Sequence, residues 1–110
     1  MPSTKNYLDF VLEQLSELKD ISFRQMMGEY ILYYQKKVVG GIYDDRFLLK
    51  PTKSSMQLMH DSELTIQMAL PYDGAKEMLA ADIDDRELSC RLIRAIAADL
   101  PDPKPKKGNK

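Results

Sequence analysis

The side chains with the greatest potential for metal or hydrolytic chemistry are two groups of aspartates, Asp44-Asp45 and the set Asp82, Asp84 and Asp85. Closely spaced carboxylates bind a divalent cation only when several more oxygen ligands converge on it. Adjacent carboxylates in a hairpin point apart, and aspartates ahead of a helix complement its dipole. We therefore interpret the first group as a turn and the second as a helix N-terminus, and we predict no metal and no cofactor.

Nucleophilic catalysis would have to use the only cysteine, Cys90, or the only histidine, His60. Cys90 falls within a predicted helix and nothing in the sequence links it to His60, so we interpret it as a buried or half-buried small side chain. His60 and Asp61 are too close in sequence to act well as a base and its orienting group, and we expect an exposed loop histidine. Gly40-Gly41 lacks the spacing and the lysine of a phosphate-binding loop. We predict a protein that is not an enzyme.

The charge of the chain is unevenly distributed. The net charge is −1 over 110 residues, but residues 1–103 carry 12 basic and 17 acidic side chains. An acidic domain disfavours direct DNA binding, which depends on clustered Lys and Arg. We expect one domain over residues 1–100 and a disordered Pro- and Lys-rich tail over residues 101–110. The sequence shows no membrane span and no signal peptide, and its single cysteine favours a cytoplasmic location.

The N-terminal region is predicted to form an amphipathic helix that begins after a cap at Ser3 or Thr4 and ends at about Lys19. Apolar residues recur there at three- and four-residue steps, as expected for one buried face of a helix. The residues on that face are Leu8, Val11, Leu12, Leu15 and Leu18.

Two further helices are predicted. A short one follows Pro51, because residues 52–55 offer caps. A closing helix runs from about residue 85 to Asp99, begun by a capping box between Asp84 and Glu87. Its buried stripe is Leu88, Leu92, Ile93, Ile96 and Leu100.

Extended segments dominate the middle of the chain. Strands are predicted at Ile21–Met26, Glu29–Tyr34, Lys37–Tyr43 and Arg46–Lys50, with a bend at Gly28 and turns at Gln35-Lys36 and Asp44-Asp45. Gly40-Gly41 indicates a bulge or a close backbone approach. Residues 63–69 are interpreted as a loop or a short extended segment, and residues 75–80 as a final strand. The pattern predicts an α+β fold, an antiparallel β-meander flanked by N- and C-terminal helices.

Tyrosines on the predicted sheet allow two interpretations. Aromatic faces beside basic groups can stack nucleic-acid bases, whereas tyrosines also pack sheet faces and enrich protein interfaces. Interleaved acidic residues favour packing or dimerisation. The set consists of Tyr30, Tyr33, Tyr34 and Tyr43, with Arg24, Lys36, Lys37 and Arg46. The methionines, including Met26-Met27, are interpreted first as core filling and second as a pliable binding surface.

Several short motifs together resemble the N-terminal domain of the TfoX/Sxy family. They are Arg24-x-Met26-Met27-Gly28, Tyr30, Gly41-x-x-Asp44-Asp45, Leu49-Lys50-x-Thr52 and Leu70-Pro71-Tyr72-x-Gly74-Ala75-Lys76-x-Met78. Met27 stands where the family commonly has phenylalanine. The resemblance implies a bent antiparallel sheet with packed helices, an architecture similar to secretion chaperones, and such folds often dimerise.

The resemblance also implies a function. The named family members regulate natural competence for DNA uptake and are thought to assist a transcription activator such as the cyclic-AMP receptor protein. They carry a second helical domain, for which 110 residues leave no room, so we expect a stand-alone N-terminal domain. We predict a regulatory or adaptor domain acting through a protein partner, with a homodimer as one option. The alternative is direct nucleic-acid binding through the sheet tyrosines and the basic tail. The motif or interface residues are Arg24, Met26, Gly28, Tyr30, Tyr33, Tyr34, Gly41, Asp44, Asp45 and Lys50.

Overall fold

A computed structural model describes residues 3–101. The apolar stripes of the helices pack against one face of a sheet whose residues alternate between its two faces, so the fold has a helix layer and a sheet layer. The helices in this range are α1 (Lys5–Gln14), α2 (Lys53–Asp61) and α3 (Arg86–Asp99). The strands are β1 (Ile21–Met26), β2 (Glu29–Tyr34), β3 (Lys37–Tyr43), β4 (Arg46–Leu49), β5 (Met68–Ala69) and β6 (Met78–Ala80). They form one antiparallel sheet in the order β1-β2-β3-β4-β6-β5. The predicted α+β fold is confirmed.

The meander β1–β4 is closed by three two-residue turns. Their central residues, Met27-Gly28, Gln35-Lys36 and Asp44-Asp45, all have positive φ between 54° and 84°. Positive φ at both central positions belongs to the hairpin turn whose twist matches the flanking strands. The turns predicted at Gln35-Lys36 and Asp44-Asp45 are confirmed, and the bend predicted at Gly28 is a third turn of the same kind. From residue 102 onward, the predicted tail lies outside the described residues.

Strand β3 contains both features that the sequence suggested for Gly40-Gly41, a close backbone approach at the glycines and a bulge at the preceding residue. The register between β2 and β3 shifts after Leu32, which leaves Val39 as the extra residue of a bulge. Gly41 lies under an aromatic ring, since a Cβ placed there would be 2.6 Å from the Tyr43 ring and 2.7 Å from the Tyr30 carbonyl oxygen. Gly41 therefore permits a close approach that any other residue would block.

Helix α1 is shorter than predicted, because it ends at Gln14 and not near Lys19. Leu15 and Leu18 are nevertheless buried. The chain continues after α1 in tight turns, in which the Leu18 N–H donates to the Leu15 carbonyl at 2.9 Å. These turns preserve a three-residue spacing, so the apolar periodicity predicted burial correctly and helix length incorrectly.

The start of α3 also differs from the prediction. Asp85, and not Asp84, is the N-cap, since its side chain accepts a hydrogen bond from the Leu88 N–H at 3.1 Å. Asp84 belongs to the preceding turn, where its N–H donates to the Asp82 carboxylate at 3.0 Å. Glu87 consequently occupies the second helical position, and the predicted capping box does not form.

The core lies between the helices and one face of the sheet. The stripe of α3 packs there as predicted, with Leu88, Leu92, Ile93 and Ile96 buried and Leu100 packed against the cluster. Strand β4 ends one residue earlier than predicted, β6 covers only residues 78–80, and β5 is a two-residue strand within the segment predicted as loop or extended. No helix within residues 3–101 has the length and apolar character needed to cross a membrane.

Candidate functional site

The aspartate pair at the β3–β4 turn fastens the N-terminal segment to the sheet. Asp45 Oδ1 accepts a hydrogen bond from the Thr4 N–H at 2.8 Å, and the Asp45 N–H donates to Ser3 Oγ at 3.0 Å. The three aspartates near residue 84 form the turn and the cap of α3. In the part of the chain that the structure describes, no group of three or more His, Cys, Asp or Glu side chains is arranged as metal ligands would be.

The cysteine and the histidine do not form a nucleophilic pair. Cys90 is buried, as predicted. Its burial, followed by the nearby Glu17 carboxylate, raises the pKa of the thiol, which disfavours the reactive thiolate. His60 is exposed, as predicted, but it lies in the last turn of α2 and not in a loop. Its Nδ1 atom is 3.7 Å from Asp61 Oδ1.

The two faces of the sheet have different surroundings. We call the face that packs on the helices the covered face and its opposite the open face. Side chains alternate along β2, so that Tyr30, Leu32 and Tyr34 lie on the covered face and Glu29, Ile31 and Tyr33 on the open face. Cross-strand partners share a face. The pairs Arg24–Ile31, Ile31–Gly41, Gly41–Leu48 and Leu48–Ala80 therefore extend the open face across the sheet.

Part of the open face is covered by the chain that connects β5 to β6. Arg46 Nη2 donates to the carbonyl oxygens of Leu70 and Pro71 at 3.0 and 3.5 Å. Pro71 is buried. The rings of Tyr43 and Tyr72 lie with their centroids 6.3 Å apart. This connection forms a wall above the sheet. The wall accounts for the burial of Leu48, an open-face residue of β4 that does not belong to the main core.

An apolar groove lies between this wall and the β1–β2 hairpin. It has a volume of about 440 Å³ and is lined by Met26, Met27, Glu29, Ile31, Tyr43 and Tyr72. Met27 is 96% exposed and Tyr72 is 64% exposed. Large apolar side chains that surround a concave surface are typical of binding sites. The lining is mainly apolar and aromatic, with the Glu29 carboxylate beside it.

Polar contacts hold one side of the groove in place. Glu29 Oε1 accepts hydrogen bonds from the Ser3 N–H at 3.1 Å, from Ser3 Oγ at 2.5 Å and from the Asp44 N–H at 3.1 Å. Burial raises the pKa of Tyr43, with further contributions from Tyr72 and then Glu29. The Tyr43 phenol is therefore neutral at physiological pH and available as a hydrogen-bond donor.

Comparison with known protein families identifies the chain. The family model of the TfoX N-terminal domain matches residues 13–97, which include both sides of the groove. The chain belongs to the TfoX N-terminal domain family. It is also 37% identical over 109 residues to a protein of Spirochaeta aurantia described as an uncharacterized 12.7 kDa protein in the trpE 5′ region. The alignment covers 97% of this chain and 91% of that relative.

The TfoX motif residues predicted as an interface are divided between the two faces. Met26 lines the groove, and Arg24, Tyr33 and Gly41 lie on the same open face. Tyr30 belongs to the core, where only 6% of its surface is exposed, and Tyr34 packs against the same cluster. Gly28, Asp44 and Asp45 form turns, and Lys50 lies between β4 and α2. Only part of the predicted set can therefore contact a ligand together.

The aromatic set considered for nucleic-acid binding is divided in the same way. Tyr30 and Tyr34 lie on the covered face of this TfoX domain, whereas Tyr33 and Tyr43 lie on the open face. The four rings thus do not form one stacking surface. Met26 and Met27 are both exposed, so their interpretation as core filling was wrong and their interpretation as a pliable surface fits the structure.

The predicted interface residues do not include three residues of the groove, Glu29, Ile31 and Tyr72. Alternation along β2 separates Glu29 and Ile31 from Leu32, but it does not show that their face of the sheet forms a groove. Tyr72 appeared only as part of a turn motif of the TfoX family. Its position beside Tyr43 depends on the path of the β5–β6 connection over the sheet, which no local signal in the sequence predicts.

Proposed function

We propose that this TfoX-family chain is a cytoplasmic, non-enzymatic regulatory or adaptor domain with the competence-related role that its family suggests. It acts by binding a protein partner, such as a transcription activator, in the open-face groove. The observation that carries the proposal is the concave apolar surface formed by Met26, Met27 and Tyr72. Three large side chains, all exposed to solvent, surround one concavity on the open face of the sheet.

The side chains of the groove suit protein recognition. Methionine is flexible and polarizable, so Met26 and Met27 can adapt to the shape of a partner. Tyrosine offers a large ring and a hydroxyl group, and it is enriched among residues that dominate binding energy. Tyr43 and Tyr72 can hold an apolar side chain of the partner between them and the methionines. We therefore expect the partner to present an aliphatic or aromatic anchor.

The charge around the groove narrows the chemistry of the partner. Glu29 lines the groove, and Asp44 and Asp73 follow the two tyrosines in the sequence. Oppositely charged surfaces speed association and favour the correct partner. The apolar anchor of the partner should therefore be flanked by Lys or Arg. Bare DNA lacks such an anchor, and the Glu29 carboxylate in the groove would repel its phosphates.

Quantitative co-purification tests this proposal. The tagged full chain and a Met27→Ala/Tyr72→Ala variant would be used to capture proteins from the native cytoplasm, and the proteins recovered would be compared by mass spectrometry. Leu64→Ala/Ile66→Ala is the matched control, because it removes two exposed apolar side chains outside the groove. Both variants should remain folded, as judged by circular dichroism.

We expect at least one protein to be lost with the groove variant and retained with the control. That protein, once purified, should bind the wild-type chain and should bind the groove variant at least about tenfold more weakly, a loss of ~1.4 kcal/mol. If every recovered protein is insensitive to the groove substitutions, the groove is not the docking site and the proposal fails.

Direct nucleic-acid binding, the alternative from the sequence, receives less support. Its aromatic residues face opposite sides of the sheet, and the Glu29 carboxylate lies in the groove with Tyr43 and Tyr72. The Lys residues of the tail lie outside the described residues. A fluorescence anisotropy titration with duplex and single-stranded DNA at low salt addresses this alternative directly. Binding that weakens with salt and with deletion of residues 104–110 would revive it.

A further inference from the structure

The two edge strands of the sheet differ in how well they are protected from pairing with another strand. Edge strands expose unpaired backbone groups, and proteins usually guard them by shortness, proline, bulges or charge. Strand β5 contains only Met68 and Ala69. Strand β1 spans six residues, contains no proline and has no bulge in its register with β2, and Arg24 is the one charged residue among the six. The β1 edge thus has fewer of these protections.

The register of the β1–β2 hairpin shows which backbone groups of β1 point outward. Met26 and Glu29 flank a two-residue turn, so they exchange both of their backbone hydrogen bonds. Bonded and non-bonded pairs alternate along an antiparallel ladder. The N–H and C=O groups of Ile21, Phe23 and Gln25 therefore point away from β2. Among the described residues, no strand pairs with this outer edge.

Exposed side chains accompany the outward backbone groups. Ser22 through Met26 are all exposed. The Phe23 ring is 45% exposed, and it contacts Tyr30 edge to face with the ring centroids 5.9 Å apart. Phe23 therefore extends the covered face beyond the part that the helices shield. A strand that paired with β1 would bury this ring as well as the backbone groups.

We propose that β1 is a dimerisation edge at which a second copy of this chain pairs antiparallel, with the two-fold axis at Phe23. In this register Phe23 lies opposite Phe23 of the second copy, and Ile21 lies opposite Gln25. All outward-pointing residues of both strands are then paired. Such an interface is closed, because each copy uses the same surface. This inference is independent of the proposed groove function.

Charge selects this register over its neighbours. With the axis at Phe23, Arg24 of each copy lies opposite Ser22 of the other. A shift of the axis to Arg24 would place the two guanidinium groups opposite each other, and like charges at directly opposite positions are destabilising. A shift to Ser22 would leave both Gln25 residues outside the paired region. The Phe23 register avoids both costs and brings two aromatic rings together.

The size of the interface predicts a reversible dimer. Six strand residues span about 20 Å, and an edge pairing of this length buries less than the roughly 800 Å² per partner of a standard stable interface. The proportion of dimer should therefore rise with concentration. The open face, with its groove, stays accessible in the dimer, since the pairing extends the sheet sideways.

Sedimentation velocity over a range of concentrations of the full chain tests the proposal, with Gln25→Pro and Gln25→Ala as the decisive pair. Proline removes an outward N–H and is tolerated on a free edge, whereas alanine keeps the N–H and removes only the side chain. We expect a concentration-dependent dimer for the wild-type and alanine chains. Gln25→Pro should raise the dissociation constant at least about tenfold, because two symmetry-related hydrogen bonds are lost.

A Phe23→Cys variant provides a second test that does not depend on the proline chain folding. Directly opposed residues in a bonded antiparallel pair have Cα atoms about 5.5 Å apart, within the range of a disulfide. Mild oxidation should cross-link two copies of Phe23→Cys and leave an Ile66→Cys control uncross-linked. A monomer at all concentrations, a dimer unaffected by Gln25→Pro, or equal cross-linking of both cysteine variants would overturn the proposal.

Discussion

The covered and open faces of one sheet carry similar residue types and have different roles. Both contain aliphatic and tyrosine side chains. On β2, Tyr30 and Leu32 of the covered face are buried in the core with residues of the helices, whereas Ile31 and Tyr33 of the open face are only half-buried. Residue type alone therefore does not distinguish a core from a binding surface. The distinction comes from what the rest of the chain places above each face.

Truncation of neighbouring residues on β2 should separate the two faces most strongly. Leu32 is fully buried on the covered face, and Leu32→Ala should reduce the free energy of unfolding by ~3 kcal/mol through lost burial and the cavity left behind. Ile31 is half-buried on the open face, and Ile31→Ala should cost only about 1 kcal/mol. Urea denaturation of both variants measures the difference. Equal losses would mean that the open face is as tightly packed as the core.

Two glycine substitutions test how the open face is built. Gly41→Ala would force a Cβ against the Tyr43 ring and the Tyr30 carbonyl, so we expect a loss of ~2 kcal/mol in the free energy of unfolding. Gly74 has open space around it but a φ of 86°, and Gly74→Ala should cost only about 1 kcal/mol. Thermal denaturation ranks the two. A harmless Gly41→Ala would contradict the close packing of Tyr43 over the sheet.

Much of this architecture could be predicted from local sequence. The bounds of β1, β2 and β3 match the prediction, because each strand is limited by a turn whose residues adopt positive φ. The end of α1 and the cap of α3 were misplaced, since tight turns preserved the apolar spacing and three aspartates competed for one cap. The groove joins Met27 to Tyr72, residues far apart in sequence. Its formation depends on the tertiary path of the β5–β6 connection.

The groove residue Tyr72 should contribute to binding and little to stability. Its exposed ring makes few buried contacts, so Tyr72→Ala should change the free energy of unfolding by no more than about 0.5 kcal/mol. Tyr43→Ala, which removes the half-buried ring over Gly41, should cost more. Urea denaturation of both variants makes the comparison. A large destabilisation by Tyr72→Ala would assign this tyrosine to the fold and weaken its assignment to the groove.

A surface contact in the helix layer should have the smallest effect on the free energy of unfolding, detected as a change in how that free energy depends on pH. Asp99 of α3 accepts hydrogen bonds from the Ser54 side chain and N–H, both at 2.7 Å, and these bonds hold its pKa below the ordinary value of 3.8. The carboxylate therefore stabilises the fold at neutral pH, and this contribution disappears as the pH falls through the lowered pKa.

Ser54→Ala should remove part of this acid dependence. Below the lowered pKa, wild-type and variant chains should have closer free energies of unfolding than at neutral pH. Ser62→Ala, at the other end of α2, is the control and should leave the pH profile unchanged. Urea denaturation at several pH values between about 2 and 7 makes the comparison. A variant that keeps the wild-type profile would show that the Asp99–Ser54 contact does not contribute.

Site-specific photo-cross-linking tests the central claim, that the open-face groove is the surface that binds a protein partner. A photoreactive residue in place of Met27 would be activated in living cells. The same residue in place of Ile66 is the control, and a third chain combines the probe at position 27 with Tyr72→Ala. We predict one discrete protein adduct from position 27, absent from position 66 and lost with Tyr72→Ala. Adducts of equal yield from both positions, or an adduct at position 27 that persists with Tyr72→Ala, would contradict it.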